Sequence, residues 1–235
     1  MLHQELKALK IGRDKFFGIL RANHLLIAPR RTYHVTTWSH HRFRKHPNLI
    51  KEMDIQQPEQ VWVSDITYIG KREKPCYLSL ITDAYSKKIV GYDVADSLNS
   101  SSSIKALKMA KRNRLYNNPI IHHSDRGVQY CSDEYQHLLS KYEMKCSMTE
   151  KSDPYENAIA ERINGILKQE FMLDTYHLDL RIMKEIVEEA IHIYNTKRPH
   201  WSNDLLTPQQ MHNQQTLKIK SYKRKNSSKL LSTTV

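Results

Sequence analysis

The sequence predicts a mixed α/β unit, a sheet flanked by helices, preceded by a small basic helical segment. Three observations carry that prediction. Short runs of β-branched and aromatic residues alternate with stretches of helical apolar periodicity between residues 61 and 194. Of a formal net charge of +12, residues 1–51 hold +9 and residues 213–235 hold +6, which leaves −3 for the segment between. Only six glycines are present in 235 residues, which argues against a Gly-rich phosphate loop.

The elements follow in chain order. Over residues 12–23, Phe16, Phe17, Ile19 and Leu20 recur at helical spacing among Arg13, Lys15 and Arg21, and Pro29 is placed to open a second short helix over 29–33. The pair forms a candidate helix-turn-helix, with Arg30 and Arg31 as candidate DNA contacts, although many basic helical pairs never enter a groove. His34, His40, His41 and His46 follow without cysteines or a carboxylate at ligand spacing, so they read as phosphate contacts or solvated side chains rather than a metal site. A polar linker at 52–60 leads to strands expected at 61–69, 77–82 and 89–94, a meander separated by KREKP and AYSKK, with Asp83 as a turn residue at a strand end. The serines at 100–103 are expected to cap a helix reaching residue 115, with Ile104, Leu107, Met109 and Ala110 on its buried side. A strand at 120–122, a helix at 132–142, a strand near Cys146 and helices at 154–171 and 180–194 complete the pattern. The expected divisions are a basic helical segment (1–54), the α/β core (55–175), a C-terminal helix with its YN and RPH motifs (176–212) and a basic tail (213–235).

Composition excludes several classes. A mean hydropathy of −0.67 and the lack of a long apolar run argue against a transmembrane helix, and the N-terminus has no apolar core of a signal peptide, so no membrane partner and a cytoplasmic location are expected. Cys76, Cys131 and Cys146 are too few and scattered for a disulfide framework and contain no CxxC, so reduced structural thiols are expected. A mildly acidic centre between two basic arms suits a protein whose flanks grip a polyanion, with nucleic acid the leading partner. For the last 15 residues, plain solvation is an equally good reading.

With 25 acidic residues, spacing alone selects nothing, and context must carry the choice. Asp65 lies inside the strand run WVSDITYI, where a carboxylate needs a partner or a metal. Asp125 follows the strand IIHH directly, at the C-terminal end where sites in open α/β sheets lie. Glu161 sits mid-helix in ENAIAERINGILKQE, with 35 residues between it and Asp125.

This arrangement resembles the DDE transposase and retroviral integrase superfamily. The motifs WVSDITYI, YLSLITDAYSKKIVGY, HHSDRGVQYCS, ENAIAERINGILKQE and YNTKRPHWSNDLLTPQQMH, in that order from Val61 to His212, resemble the second-frame catalytic protein of the bacterial insertion sequence family 3 transposases. The resemblance implies an RNase H-like mixed sheet and places Asp65, Asp125 and Glu161 in the three catalytic, metal-binding positions. It also implies action on element-end and target DNA as a homo-oligomer, and an upstream-frame helix-turn-helix partner or fusion. The basic N-terminal segment is similar to that family's integrase-associated helix-turn-helix, here beginning close to Met1. Glu156 departs from the family's usual Asp before Asn, and the HHCC zinc motif of retroviral integrases is absent.

Elementary chemistry agrees with that placement. Three clustered carboxylates raise one another's pKa, and divalent cations reverse the balance. Oxygen-only ligands favour Mg²⁺ or Mn²⁺ over zinc, and two such ions about 4 Å apart support in-line phosphodiester displacement. A transposase uses this chemistry twice, first in hydrolysis that exposes a 3′-hydroxyl and then in attack by that hydroxyl on another strand.

Around the acids, helical periodicity sets Asn157, Glu161, Asn164 and Lys168 on one face and Ile159, Ile163 and Ile166 on the other. One face is then expected to meet DNA and the other the sheet. Asn157, Asn164, Lys168 and Arg126 are candidate DNA contacts, with an ordinary solvated face the competing reading; Gln129 is a further candidate for orienting the target strand. His123 reads better as a satisfied structural histidine than as a phosphate contact. Tyr194, Asn195, Arg198, Pro199 and His200 read as fixing the chain's return. Asp153, Pro154 and Glu156 form a capping-box-like helix start. A non-catalytic DNA-binding remnant and a structure-specific nuclease of the same fold are the competing functions; the intact acids and the basic N-terminal segment favour the transposase.

Overall fold

A computed structural model of the chain describes residues 11–26, 45–71, 75–150 and 157–213. The expected second N-terminal helix with Arg30 and Arg31, three of the four clustered histidines, the capping box at 153–156 and the basic tail beyond residue 213 lie outside the described residues.

The first described element is α1 (Arg13–Ala22), within the expected span; it has no buried residue. The sheet is built from β1 (Val61–Ile69), β2 (Cys76–Asp83), β3 (Ile89–Ala95), β4 (Ile121–Ser124) and β5 (Lys145–Met148), in the order β3-β2-β1-β4-β5. The first three strands form the expected antiparallel meander, and β4 and β5 add on parallel to β1. Parallel neighbours need helical crossovers, and these are supplied by α2 (Ser100–Arg112) ahead of β4, and by α3 (Val128–Cys131) and α4 (Asp133–Lys141) ahead of β5. The chain then adds α5 (Ala158–Glu170), α6 (Leu180–Thr196), a 3₁₀ turn (Trp201–Asn203) and α7 (Pro208–His212).

Two hydrophobic layers sandwich the sheet. Trp62, Ile81 and Val90 pack with Ile104, Leu107, Tyr135, Leu139 and Met148 on one side, beneath α2 and α4. On the other side Ile69, Leu78, Leu80 and Ile89 meet Ile163, Ile166 and Leu167 of α5 and Met183, Val187 and Tyr194 of α6. Strand alternation therefore puts Trp62 toward the first layer and Val61, Val63 and Asp65 toward α5. A Cβ at Gly91 would stand 2.2 Å from the Ala106 carbonyl and 2.8 Å from the Ala110 methyl, so the absent side chain is what lets α2 lie against β3.

Several expectations shift by a few residues. The serines at 100–103 form the first turn of α2 rather than its cap; Asn99 occupies the N-cap position, and Ser102 and Ser103 are buried. That helix stops at Arg112, Leu115 is exposed, and Met109 is only partly buried, because the buried stripe passes through Ala106 and Ala110 instead. The short α3 was not expected, since four residues carry too little periodicity to register. Near the expected boundary at residue 54, the Met148 amide donates to Pro47 and the Leu49 amide to Ser147, while Ile50, Met53 and Ile55 pack beside Val61 and Ala160. Cys76 and Cys131 are buried and Cys146 partly so, all three as free thiols, and burial pushes the Cys131 thiol up to about 11.

Candidate active site

Register brings the first two acids together. In the parallel pairing of β1 and β4 the last partners are Ser64 and Ser124. Asp65 and Asp125 are the next residue on each chain, side by side where β4 has just ended. Neighbouring strands lie about 4.8 Å apart. Both aspartates line one cavity with Tyr68, Tyr77, Gly127, Gln129 and Tyr130. The Gly127 amide donates to Asp125 Oδ1 at 3.0 Å, and a Cβ on Gly127 would itself stand 3.0 Å from that oxygen, so the glycine allows the close turn.

The third acid arrives on α5. Asn164 Nδ2 donates to Asp65 Oδ2 at 2.7 Å, and Asn157 Nδ2 to the Ser64 carbonyl at 3.2 Å. These two bonds fasten the helix across the middle of β1, where its pairing with β4 ends, with Glu161 between them. Burial, the neighbouring Asp125 charge and, more weakly, Glu161 push the Asp65 carboxyl up to about 7, although the Ile66 amide and Asn164 donate to it. Burial also raises Glu161, whose side chain remains exposed. The structure thus brings Asp65 and Asp125 into one cavity and lets the Glu161 charge act on Asp65. Among the described residues, no three His, Cys, Asp or Glu side chains stand at ligand distance from a common point.

The supporting residues divide. Asn157 and Asn164, expected as outward DNA contacts, are 7% and 5% exposed, and their amides are committed to β1. The acid-bearing face of α5 is therefore itself partly sealed against the sheet, because polar side chains there find partners in the middle of β1. Lys168, on the Glu161 side of the helix, lies over the Tyr68 ring at 6.0 Å. Arg126 is half-buried beside Asp125. Gln129 donates to the Leu98 carbonyl at 3.3 Å. His123 is buried with Nδ1 2.8 Å from Ser147 Oγ, which is the structural reading. The Tyr194 hydroxyl donates to Lys87 O, Asn195 exchanges two bonds with the Ile89 backbone at the sheet edge, and Arg198 grips Glu170 through two 2.6 Å bonds, so this signature does fix the chain's return.

Two features escaped the sequence reading. Beneath the site, His122 is fully buried with Nε2 2.8 Å from Ser64 Oγ and 2.9 Å from the Tyr135 hydroxyl; burial and His123 hold its pKa down to about 3. At the end of β2, Asp83 is a hub rather than only a turn residue. It accepts from the Glu59 amide at 2.6 Å and from Ser86 N and Oγ, and it lies 3.7 Å from His212, which stands 3.5 Å from Glu59. Glu59 in turn accepts from Arg114 and from the Leu115 and Tyr116 amides. The T-P-Q-Q run ahead of His212 held a usable signal, since Thr207 and Gln210 make a capping box that seats α7 there.

A mixed five-stranded sheet with helices on both faces, and two aspartates level on adjacent parallel strands just past the point where their pairing ends, define an integrase-type, RNase H-like catalytic core. The sequence matches the family described as Integrase core domain over residues 55–154 and again over 142–208. It is 35% identical to the insertion element IS600 uncharacterized 31 kDa protein of Shigella sonnei, over 81% of this chain and 71% of that one. It is 34% identical to transposase InsF for insertion sequence IS3fB of Escherichia coli strain K12, over 67% of this chain but only 55% of that protein. In fold it is similar to the catalytic core domain of HTLV-2 integrase, solved in complex with magnesium, with a TM-score of 0.53 and 23% identity over 66% of this chain and 97% of that one. The chain belongs to the insertion sequence family 3 transposases, with an integrase core.

Proposed function

We propose that the chain cuts DNA at the ends of an insertion sequence and joins the freed 3′ ends to a target, using Asp65, Asp125 and Glu161. The observation that carries this reading is the level placement of Asp65 and Asp125, with Glu161 held nearby by Asn157 and Asn164. The donor set fits a hard divalent cation: every candidate ligand is a carboxylate oxygen, and a cation between the acids would offset both the burial and the neighbouring charges that raise Asp65. Asp65, Asp125 and Glu161 would hold Mg²⁺ or Mn²⁺, two ions in our reading. Bound there, the metal would activate the attacking oxygen and stabilise the leaving one.

The chain's own residues prepare the site. Asn164 orients Asp65, the Gly127 amide orients Asp125, and the exposed Glu161 side chain would swing in from the helix to complete the set. In the first displacement water attacks a phosphodiester, the P–O3′ bond breaks and the element's 3′-hydroxyl leaves. In the second that hydroxyl attacks a target phosphodiester, so one P–O bond forms as another breaks and no external energy source is needed. Lys168, Arg126 and the basic residues before 45, Arg30 and Arg31 among them, are read as backbone contacts that position the strands. Assembly as a homo-oligomer on DNA and an upstream-frame helix-turn-helix partner belong to the same reading, as does a cytoplasmic site of action; among the described residues no helix is long and apolar enough to cross a membrane.

The test is to incubate the chain with cloned element-end DNA in Mg²⁺, Mn²⁺ or EDTA and resolve the products. Metal-dependent cleavage with joined product is expected. Cleavage without joining would indicate a nuclease, and activity indifferent to EDTA would overturn the metal reading.

A further inference from the structure

Away from the acids, one surface feature has no role in the reading above. Trp201 is 85% exposed, the most exposed large apolar side chain among the described residues. It lines a groove with Arg162, Glu170, Arg198, Pro199, His200 and Leu205. A solvated indole on a mobile loop would mean little, but this one sits on a pinned turn. Asn203 is buried and donates to the Ser86 carbonyl at 2.7 Å, and the His200, Asn203, Leu205 and Leu206 amides all bond within the turn. Asp204 and Leu205 both hold positive φ, at 52° and 67°, a conformation that branched side chains such as leucine rarely adopt.

The groove is cationic. Glu170, the only acid lining it, is neutralised by its two bonds to Arg198, which leaves the exposed Arg162 to set the sign. Burial, with the fields of Arg198, Lys87 and Arg162 against that of Glu170, holds the neighbouring His200 down to about 4. Arg162 follows Glu161 directly and lies about 100° around the same helix, so the groove flanks the catalytic face.

We propose that this groove is a subsite for an unpaired stretch of the DNA strand being processed, with Trp201 stacking on a base and Arg162 contacting the phosphate beside it. The inference rests on the transposase reading and adds a specificity element to it. Aromatic platforms beside cations are how single strands are held without base-edge readout. A second protein copy would instead seek an apolar or acidic counterpart to an uncapped indole, and the positive sign favours the polyanion.

The test uses the full chain, its Trp201→Ala, Trp201→Phe and Arg162→Gln variants, and a labelled 20-nucleotide DNA of mixed sequence as a single strand and as a blunt duplex. Binding is followed by anisotropy across a salt series. Trp201→Ala is expected to weaken single-strand binding about tenfold, to leave its salt slope unchanged and to alter duplex binding less than about twofold. Trp201→Phe is expected to retain most of the affinity, and Arg162→Gln to lower the slope by about 0.7. Single-strand binding by Trp201→Ala within about twofold of wild type overturns the subsite. So does loss of oligomer mass by that variant without DNA, which would make the indole a protein interface. Metal-dependent cleavage is measured in the same preparations. Wild type that cleaves while Trp201→Ala binds normally refutes the subsite alone; wild type that discriminates single strand through Trp201 yet never cleaves supports the subsite and refutes the transposase reading.

Discussion

Asn164 donates a 2.7 Å hydrogen bond to Asp65, and so ties the helix that carries Glu161 to the strand that carries the first acid. It lies three residues after Glu161 on α5 and is almost fully buried. Truncating it to Ala leaves Asp65 without that donor and frees the helix face. Strand-transfer rate should fall about 10- to 100-fold, the size typical of residues that orient a metal ligand. DNA affinity and its salt slope should hold. A weakened Kd with a normal turnover number would instead restore Asn164 to the DNA interface.

Asp65→Asn, Asp125→Asn and Glu161→Gln should each abolish cleavage and joining. Metal binding gives a readout that does not depend on activity. At a Mg²⁺ concentration about 100 times its Kd, the wild type should gain about 2.7 kcal/mol of stability, seen as a raised Tm, and the Asp65→Asn chain should gain little. Glu156→Gln is the control. Glu156 lies ahead of α5, which begins at Ala158 with Asn157 at its N-cap, and outside the three proposed metal-binding positions, so Glu156→Gln should keep activity. A dead Glu156→Gln beside an active Glu161→Gln would move the third acid.

Gly91→Val tests the packing of α2 on β3. The new Cβ meets a backbone carbonyl at 2.2 Å, which no rotamer change relieves, and overpacking of this kind costs about 1–3 kcal/mol or more. Urea unfolding should show a lower midpoint with an unchanged m-value. An unaltered midpoint would mean that the helix shifts freely.

The network around His212 predicts a pH dependence. Burial lowers the His212 pKa, but the facing Asp83 and Glu59 carboxylates outweigh it and leave the value raised; Lys88 opposes them weakly. Burial raises Glu59, and His212, the Leu115 and Tyr116 amides and Arg114 outweigh it, leaving that value lowered. A raised histidine contributes stability that is complete below its ordinary value of 6.5 and is lost as pH rises through the folded value. A lowered carboxylate contributes stability that is complete above 4.5 and is lost as pH falls through the folded value. Both contributions are whole between pH 4.5 and 6.5. Asp65, raised to about 7, also erodes stability as pH rises from 3.8. The diagnostic is therefore the difference in Tm between wild type and His212→Gln, which should shrink as pH rises above 6.5. A constant difference would show that His212 carries no charge in the fold.

The sequence alone determined the strand meander and the longer helices, because each is written locally, and its motifs put forward Asp65, Asp125 and Glu161 as the candidate acids. β-branched runs, helical periodicity and the residue types flanking WVSD, HHSD and ENAIAE need no distant partner to be read. Only the tertiary structure decided that Asp65 and Asp125 are level, since parallel register between strands about 60 residues apart is set by how both pack on their helices. It also decided that Asn157 and Asn164 turn inward. Periodicity assigns polar residues to water by default, and it cannot know that the middle of β1 offers a carbonyl and a carboxylate to bond. The Glu59, Asp83 and His212 cluster was illegible for the same reason: His212 lies more than 120 positions from the other two, and each alone looks like a surface residue until the fold removes its water.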